Sequence, residues 1–172
     1  MQKKLSIPYP IIVEGKYDRL RLIEICSANI ITTDGFGIFK KGERLSLLQE
    51  LSVRTPIILL TDSDGAGKLI RSHLSSAIPK EKIIQLYIPQ IKGKERRKTA
   101  PSAEGTLGVE GIEDKLLYDL LSPYEDRERY KRYSENSITK ADLYADGLME
   151  AVSVKQTEVF EAAKYFAQIE GI

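Results

Sequence analysis

Residues 57–67 read Ile-Ile-Leu-Leu-Thr-Asp-Ser-Asp-Gly-Ala-Gly, and this stretch decides the fold. Four consecutive apolar residues after Pro56 are typical of a short strand that is buried on both faces of a parallel sheet. Asp62 and Asp64 follow at the carboxyl end of that strand, where open α/β folds bind their ligands. The stretch therefore predicts an α/β protein with a functional site at the carboxyl edge of its sheet.

A second apolar run, Ile11-Ile12-Val13, also ends in an acidic residue, Glu14. Because the carboxyl ends of parallel strands meet at one edge, we expect Glu14 to lie close to Asp62 and Asp64. Three carboxylates placed together would repel one another unless a cation held them. Mg²⁺ takes hard oxygen ligands and leaves room for phosphate and water. The two runs therefore predict a site for Mg²⁺, with one or two ions.

The rest of the first 121 residues alternates between strand-like and helix-like segments, as in a parallel sheet with crossover helices. Further strands are predicted at residues 30–33 and 83–88. Helices are predicted at residues 17–28, around residues 45–51 and at residues 68–78. The apolar faces of these helices would be formed by Leu20, Ile23 and Cys26, by Leu45, Leu48 and Leu51, and by Ile70, Leu74 and Ile78.

The chain of 172 residues is long enough for one domain with a small appendage. Residues 1–121 are predicted to form the main domain, and residues 138–172 a small helical C-terminal region. The segment between them, residues 122–137, is dense in charge and is predicted to be a charged linker, with a solvated helix as the alternative.

Composition excludes several classes of protein. There are 26 Lys and Arg against 25 Asp and Glu, so nucleic-acid binding would have to come from local clusters of charge. The single cysteine permits neither a disulfide framework nor a cysteine-rich zinc site. No stretch approaches the ~20 apolar residues that span a bilayer, and the N-terminus lacks an apolar signal core. We therefore expect a cytoplasmic protein without membrane contact.

The glycines around the acidic residues favour a functional interpretation. Gly65 and Gly67 let the backbone turn sharply after the two aspartates and let a phosphate approach closely. Gly15 likewise leaves the approach to Glu14 open. The competing interpretation is that the aspartates only cap the following helix. Two aspartates on one apolar strand, followed by two glycines, favour function over capping.

Basic residues near the acidic ones are candidates for phosphate contact. Lys16 could reach a phosphate, whereas Asp18 could cap its helix or join the site. Lys68 and Arg71 lie three residues apart on one helix face, which could steady the scissile phosphate or the neighbouring backbone, or be merely solvated. A basic loop that would follow the backbone of a nucleic acid contributes Lys92, Lys94, Arg96, Arg97 and Lys98.

A third acidic position repeats the local sequence of the first. Gly108-Val109-Glu110-Gly111 contains the same Val-Glu-Gly tripeptide as residues 13–15. Glu110 is accordingly a candidate for an additional metal ligand, or for a residue at the entry of a helix.

Together these positions resemble the motifs of the Toprim domain, which topoisomerases, bacterial primases and small nucleases share. The matching stretches are Val13-Glu14-Gly15-Lys16-x-Asp18, Thr61-Asp62-x-Asp64-x-x-Gly67-x-x-Ile70-Arg71 and Gly108-Val109-Glu110. Their order and spacing most resemble the bacterial ribonuclease family that matures 5S ribosomal RNA (ribonuclease M-five type). The resemblance covers residues 8–121. After Glu150 the chain departs from the family, because the expected basic, serine-containing stretch is missing.

The resemblance implies a Toprim-like parallel-stranded sheet flanked by helices, with a small helical C-terminal appendage. It implies an endonuclease that cuts precursor 5S ribosomal RNA, presented together with a large-subunit ribosomal protein. By the family pattern, Asp62 and Asp64 hold Mg²⁺, and Glu14 acts as a general acid–base or as a ligand.

Other functions fit parts of the sequence. Leu59-Leu60-Thr61-Asp62-Ser63-Asp64-Gly65 also matches the first motif of haloacid dehalogenase-type phosphatases, although that interpretation gives Glu14 no role. A non-catalytic Toprim-like module that binds RNA or protein is a second alternative. A Toprim nuclease acting on another RNA or on DNA is a third, although no groove-reading helix points to DNA.

Overall fold

The computed structural model of the chain describes residues 3–33, 42–94 and 105–135, without the side chains of residues 42–44 and 133–135. Its strands, in chain order, are β1 (Leu5–Ser6), β2 (Ile11–Val13), β3 (Cys26–Ser27), β4 (Ile30–Thr32), β5 (Ile57–Thr61) and β6 (Ile83–Tyr87). Four of them form a parallel sheet in the order β4-β2-β5-β6, and β1 pairs with β3 in a separate parallel pair. The predicted α/β class with parallel strands is confirmed.

The described helices are α1 (Lys16–Ile25), α2 (Gly42–Arg54), α3 (Gly65–Ala77), α4 (Asp114–Leu121) and α5 (Arg127–Glu135). Three short 3₁₀ turns lie at Lys80–Lys82, Val109–Gly111 and Ser122–Tyr124. None of these helices is both long enough and apolar enough to cross a membrane.

Helices cover both faces of the sheet, as the double-sided apolar strands require. All five residues of β5 are buried. Alternate residues point to opposite faces, so Ile58 and Leu60 join one core cluster while Ile57 and Leu59 join the other. The first cluster includes α1 and α4, and the second includes α2 and α3. This two-sided burial holds the carboxyl ends of β2 and β5 at one rigid edge.

The predicted apolar faces of α2 and α3 are confirmed. Leu48 and Leu51 of α2 are buried, and Leu45 packs partly buried against the same cluster. On α3, Ile70 and Leu74 are buried, as is Ile78, which follows the last turn.

The predicted face and length of α1 are wrong. The helix ends at Ile25, and its buried residues are Leu22 and Ile25, whereas Leu20 is 49 % and Ile23 39 % exposed. Two sets of apolar residues share the three-residue spacing, and tertiary packing selects the other one. Cys26 is buried as well, but it has left the helix, because it pairs with Leu5 between β3 and β1.

The charged segment that follows α4 folds onto the sheet domain as far as the structure describes it. The backbone N–H of Asp126 donates to the Ser6 carbonyl at 3.0 Å. The Arg129 guanidinium lies 5.1 Å from the centre of the Tyr9 ring, and its Nη2 donates to Thr55 Oγ1 at 3.3 Å. Residues 122–135 therefore form a 3₁₀ turn and a helix that contacts the sheet domain. Residues 136–172, which include the predicted helical C-terminal region, lie outside the described residues, so that boundary stays a prediction.

Replacing Arg129 with alanine should destabilise the fold if α5 is docked. The change removes a cation–π contact and a hydrogen bond from a charged donor, together worth about 1 kcal/mol. For a chain of this size, that corresponds to a fall in Tm of about 3 °C. Thermal unfolding of Arg129→Ala beside Arg132→Ala, an exposed arginine of the same helix, is the measurement. Equal Tm values for the two variants would contradict the docking.

Candidate active site

Glu14 and the Asp62–Asp64 turn, the two acidic positions predicted at strand ends, meet at the carboxyl edge of the sheet. β2 and β5 are direct parallel neighbours, with Ile11 opposite Ile58 and Ile12 opposite Leu59. Glu14 follows β2, and Asp62 follows β5. The backbone N–H of Asp62 donates to Glu14 Oε1 at 3.1 Å. The hydrogen bond places the Glu14 carboxyl directly beside the turn that contains the aspartates.

Asp64 begins α3 as its N-cap. Its Oδ1 accepts a hydrogen bond from the backbone N–H of Gly67 at 2.8 Å. The capping role considered from the sequence is therefore real, but it does not remove Asp64 from the site. The Asp64 carboxylate still acts on Glu14, whose pKa it helps to raise.

Two glycines make room for Asp62. A Cβ on Gly67 would lie 2.1 Å from the Asp62 carbonyl oxygen and 2.9 Å from Glu14 Oε1, and a Cβ on Gly108 would lie 2.2 Å from Asp62 Oδ2. Real Cβ atoms do not come this close to an oxygen. The backbone N–H of Val109, next to Gly108, donates to Asp62 Oδ1 at 2.7 Å. The Asp62 carboxylate is thus held by the backbone of a segment far along the chain.

Gly67 was predicted to allow a close approach, and the group that approaches it is the protein's own Asp62 and Glu14. Gly108 was not predicted as a site residue, although the repeated Val-Glu-Gly tripeptide lies directly after it. At Gly15 a Cβ would meet only Asp18 Oδ2, at an ordinary 3.9 Å. Gly65 is the first residue of α3. The prediction that these two glycines admit a ligand stays a prediction.

The carboxyl groups of this cluster disfavour one another's charge. Burial, then Asp62 and Asp64, raise the pKa of Glu14 to about 8, against a smaller opposing effect of the Asp62 N–H. Burial, then Asp62 and Glu110, raise the pKa of Asp18 to about 7. In both cases the charged neighbours that raise the pKa are carboxylates. The cluster therefore has the electrostatics of a cation site.

Asp18 belongs to this cluster, a role that the sequence left open. Its Oδ2 accepts the backbone N–H of Gly15 at 3.0 Å, so it also caps the first turn of α1. It accepts a further hydrogen bond from the backbone of Glu110, which lies in the turn Val109–Gly111. The signal in the sequence was the position of Asp18, four residues after Glu14.

The predicted phosphate-binding lysines lie on the surface where the structure describes them. Lys16, Lys68, Lys92 and Lys94 are exposed. Residues 91–93 and 105–107 pair antiparallel through a bridge between Lys92 and Thr106, which ties the base of the basic loop next to Gly108. The remaining predicted residues of the loop, Arg96, Arg97 and Lys98, lie outside the described residues.

The structure gives Arg71 a position different from the predicted one. Its side chain is 7 % exposed and lies between α3 and the sheet. The guanidinium donates to backbone carbonyls of β5 and β6, among them that of Thr61 at 3.2 Å from Nη2. These bonds direct it into the protein, so we correct the prediction that Arg71 faces a phosphate on the surface.

As placed within residues 3–33, 42–94 and 105–135, no three acidic, histidine or cysteine side chains form a ready-made metal cage. The chemistry of the donors nevertheless suits a hard cation. Glu14 and Asp64 each accept a backbone N–H with one carboxyl oxygen. Carboxylate oxygens are the ligands that Mg²⁺ prefers.

Comparison with known proteins points to one group of enzymes. The chain is 28 % identical to "Ribonuclease M5 1" of Ligilactobacillus salivarius (strain CECT 5713) over 155 residues, which are 89 % of this chain and 73 % of that protein. It is 38 % identical to "Ribonuclease M5" of Mycoplasma genitalium over 71 residues, and 49 % identical to that of Mesoplasma florum over 66 residues. No protein-family model matches the chain.

The extent of these matches differs. The two with the higher identity cover 41 % and 37 % of this chain, and 39 % and 37 % of the respective relatives. The match to the Ligilactobacillus protein extends over most of both chains at lower identity. Over most of its length, the chain is thus similar to proteins named ribonuclease M5.

Proposed function

We propose that this protein is a Mg²⁺-dependent endoribonuclease of the Toprim class that matures precursor 5S ribosomal RNA by phosphodiester hydrolysis. One observation carries the proposal. The Glu14 carboxyl accepts a hydrogen bond from the Asp62 N–H at the carboxyl edge of the sheet, and neighbouring carboxylates raise the pKa of both Glu14 and Asp18. Similarity to ribonuclease M5 proteins over 89 % of the chain supports the substrate class.

The residues that would hold the metal are Glu14, Asp62 and Asp64, and Glu110 is an additional candidate. The proposed site holds one or two Mg²⁺ ions. When bound, Mg²⁺ neutralises the phosphodiester and stabilises the leaving oxygen. A cation also offsets the mutual repulsion that raises the pKa values of Glu14 and Asp18. The metal would therefore stabilise the folded protein as well as serve the reaction.

The backbone prepares the carboxylates before substrate binds. The Val109 N–H holds Asp62 Oδ1, and the Gly67 N–H holds Asp64 Oδ1. Both donors belong to buried residues, since Val109 lies in the core and Gly67 lies inside α3. Glu14 is assigned the role of ligand or general acid–base, and its Oε1 is oriented by the Asp62 N–H. Such orientation lowers the reorganisation that the reaction requires.

Exposed lysines would bind the RNA backbone around this centre. Lys16 begins α1 and Lys68 lies in the first turn of α3, so each is close in sequence to an acidic residue of the site. Lys92 and Lys94 stand at the base of the basic loop, beside the segment that holds Asp62. Binding through phosphates should weaken as the salt concentration rises.

The proposal also includes a large-subunit ribosomal protein as partner and a location in the cytoplasm.

The alternatives fit less well. A haloacid dehalogenase-type phosphatase gives Glu14 no role, whereas here the Glu14 carboxyl accepts a hydrogen bond from the backbone N–H of Asp62. The relatives named ribonuclease M5 favour a nuclease over a phosphatase and over a non-catalytic module. They also favour RNA over DNA as the substrate.

Incubation with labelled precursor 5S RNA, with and without Mg²⁺, should give defined products only when the metal is present. Asp64→Asn keeps a good helix cap but loses the charge, so cleavage should fall by about 100-fold or more while RNA retention persists. Asp119→Asn, which removes an exposed carboxylate paired with Lys115, should cut like the wild type. Wild-type cleavage by Asp64→Asn would show that the assigned site is wrong.

Gly108→Ala should impair cleavage without touching a charged group. The added Cβ would lie 2.2 Å from Asp62 Oδ2, so the carboxylate or the Val109 turn must move. We expect the single-turnover rate constant of cleavage to fall by about 10- to 100-fold, the loss typical when a group that orients a metal ligand is disturbed. The control is Val53→Ala, at a position of α2 that is 71 % exposed. Single-turnover cleavage compares both variants with the wild type, and an unchanged rate in Gly108→Ala would refute the role of Gly108.

The stability of the metal-free protein should fall as pH rises from about 4.5 to about 8. Glu14 has a pKa of about 8 in place of 4.5, so the folded protein binds more protons than the unfolded chain within that window. Glu14→Gln should remove roughly half of the fall, because Asp18 supplies the remainder through its own raised pKa.

Thermal unfolding in a chelator between pH 5 and pH 9 measures this effect, with the exposed Glu81→Gln as control. Adding Mg²⁺ at pH 8 should raise the Tm of the wild type more than that of Glu14→Gln. If Glu14→Gln shows the same pH profile as the wild type, the carboxyl cluster does not have the charge coupling described above.

A further inference from the structure

Arg71 is the one charged side chain that is buried among the residues whose side chains the structure describes, at 7 % exposure. Burying a guanidinium is costly unless its donors are bonded and its charge is compensated. Its position is therefore informative, because the fold must gain from these bonds enough to offset that cost.

The guanidinium binds backbone carbonyls in the middle and at the end of β5 and near the end of β6. Its Nη1 donates to the Leu59 carbonyl at 3.4 Å, and its Nη2 donates to the Thr61 carbonyl at 3.2 Å, both on β5. Nη2 also donates to the Leu86 carbonyl on β6. Thr61 is the residue directly before Asp62. The bond to its carbonyl therefore acts where the chain leaves the sheet and enters the acidic turn.

Two side chains of β6 complete the surroundings of the guanidinium. The Tyr87 ring lies 4.0 Å from it, and Gln85 Oε1 accepts from Nη1 at 3.4 Å. The Tyr87 hydroxyl donates to the same oxygen at 2.8 Å, and Gln85 Nε2 donates to Ser75 Oγ of α3 at 3.2 Å. Arg71, Gln85 and Tyr87 thus form a clamp between α3 and the ends of β5 and β6.

All hydrogen-bond acceptors of this clamp are neutral. No carboxylate forms an ion pair with Arg71 in the part of the chain that the structure describes, so a direct ion pair does not neutralise its positive charge. Burial lowers the pKa of Arg71, and Tyr87 and then the charge of Glu14 oppose that shift. The guanidinium is therefore electrostatically coupled to the acidic edge.

We propose that Arg71 is a positioning residue of the metal centre, which fixes the β5 exit and the start of α3 so that Asp62 and Asp64 face one cation. This inference rests on the proposed Mg²⁺-dependent function. Asp62 follows β5 and Asp64 caps α3, so the two ends of the short acidic turn belong to the two elements that Arg71 joins. The planar fork presents several donors in fixed directions, and the compact ammonium of lysine on its flexible stem does not reproduce that geometry.

The test is Arg71→Lys, which retains the charge and loses the fork. We expect the Mg²⁺ concentration for half-maximal cleavage to rise by about 10-fold and kcat to fall by about 10-fold. Losses of this size are typical when a residue that orients a metal ligand is removed. The KM for RNA should stay within about twofold, because the residue does not face the substrate. Ile70→Val, a mild core change at the neighbouring buried position of α3, controls for loss of stability.

Gln85→Leu is the second variant, since it removes one neutral acceptor from an exposed position without emptying the core. It should raise the Mg²⁺ requirement by a smaller factor in the same direction. An unchanged Mg²⁺ requirement and kcat in Arg71→Lys would overturn the inference. So would a loss of activity no larger than that of Ile70→Val at equal Tm.

A second measurement separates this inference from the proposed function. Mg²⁺-induced stabilisation in thermal unfolding requires no RNA and no turnover. If the wild type cleaves no precursor RNA, the proposed function fails, but a weaker Mg²⁺ response in Arg71→Lys than in Ile70→Val would still support the clamp. Equal Mg²⁺ responses would overturn the clamp whatever the outcome of the cleavage assay.

Discussion

The position of the Asp62 carboxylate depends on two places where the backbone comes into direct contact with it, Gly67 and Gly108. A Cβ at either glycine would overlap an oxygen atom of Asp62, at 2.1 Å from its carbonyl oxygen for Gly67 and 2.2 Å from Oδ2 for Gly108. The Val109 N–H can then reach Oδ1 at 2.7 Å. This packing joins the first turn of α3, the exit of β5 and the turn before α4 into one unit. The parallel pairing of β2 with β5 adds Glu14 to it.

The same packing creates a charge problem. Carboxyl groups that are partly removed from water and surrounded by other carboxyl groups have raised pKa values, as for Glu14 at about 8 and Asp18 at about 7. A fold that only needed stability would replace such residues by neutral ones. Retaining them is reasonable when a cation offsets the repulsion during function. The buried Arg71 guanidinium is hydrogen-bonded to neutral acceptors rather than to an acid.

Features with a short-range physical cause could be predicted from the sequence. Apolar runs bounded by Pro or Gly gave β2 and β5, and the parallel arrangement implied that Glu14 and Asp62 share an edge. The α1 face could not be predicted in this way, because Leu20 and Ile23 fit helical spacing as well as Leu22 and Ile25 do. Which set turns inward is decided by the packing of the whole domain.

Long-range contacts between polar groups could not be predicted from the sequence either. Nothing local distinguishes Arg71, which binds strand carbonyls, from an arginine on a solvated helix face. Gly108 acquires its role from a carboxylate 46 positions earlier in the chain. The charge density of residues 122–135 suggested a linker, whereas contacts with Ser6, Tyr9 and Thr55 dock that segment. In each case the deciding partner is distant in sequence.

The central claim is that Glu14, Asp62 and Asp64 form one metal centre. The most direct measurement is a crystal structure of the protein soaked in Mn²⁺, a stand-in for Mg²⁺, with anomalous differences recorded. The account predicts an anomalous peak within coordination distance of Asp62 and at least one of the other two carboxylates. A well-ordered acidic edge without such a peak, together with Mn²⁺ bound elsewhere on the protein, would contradict it.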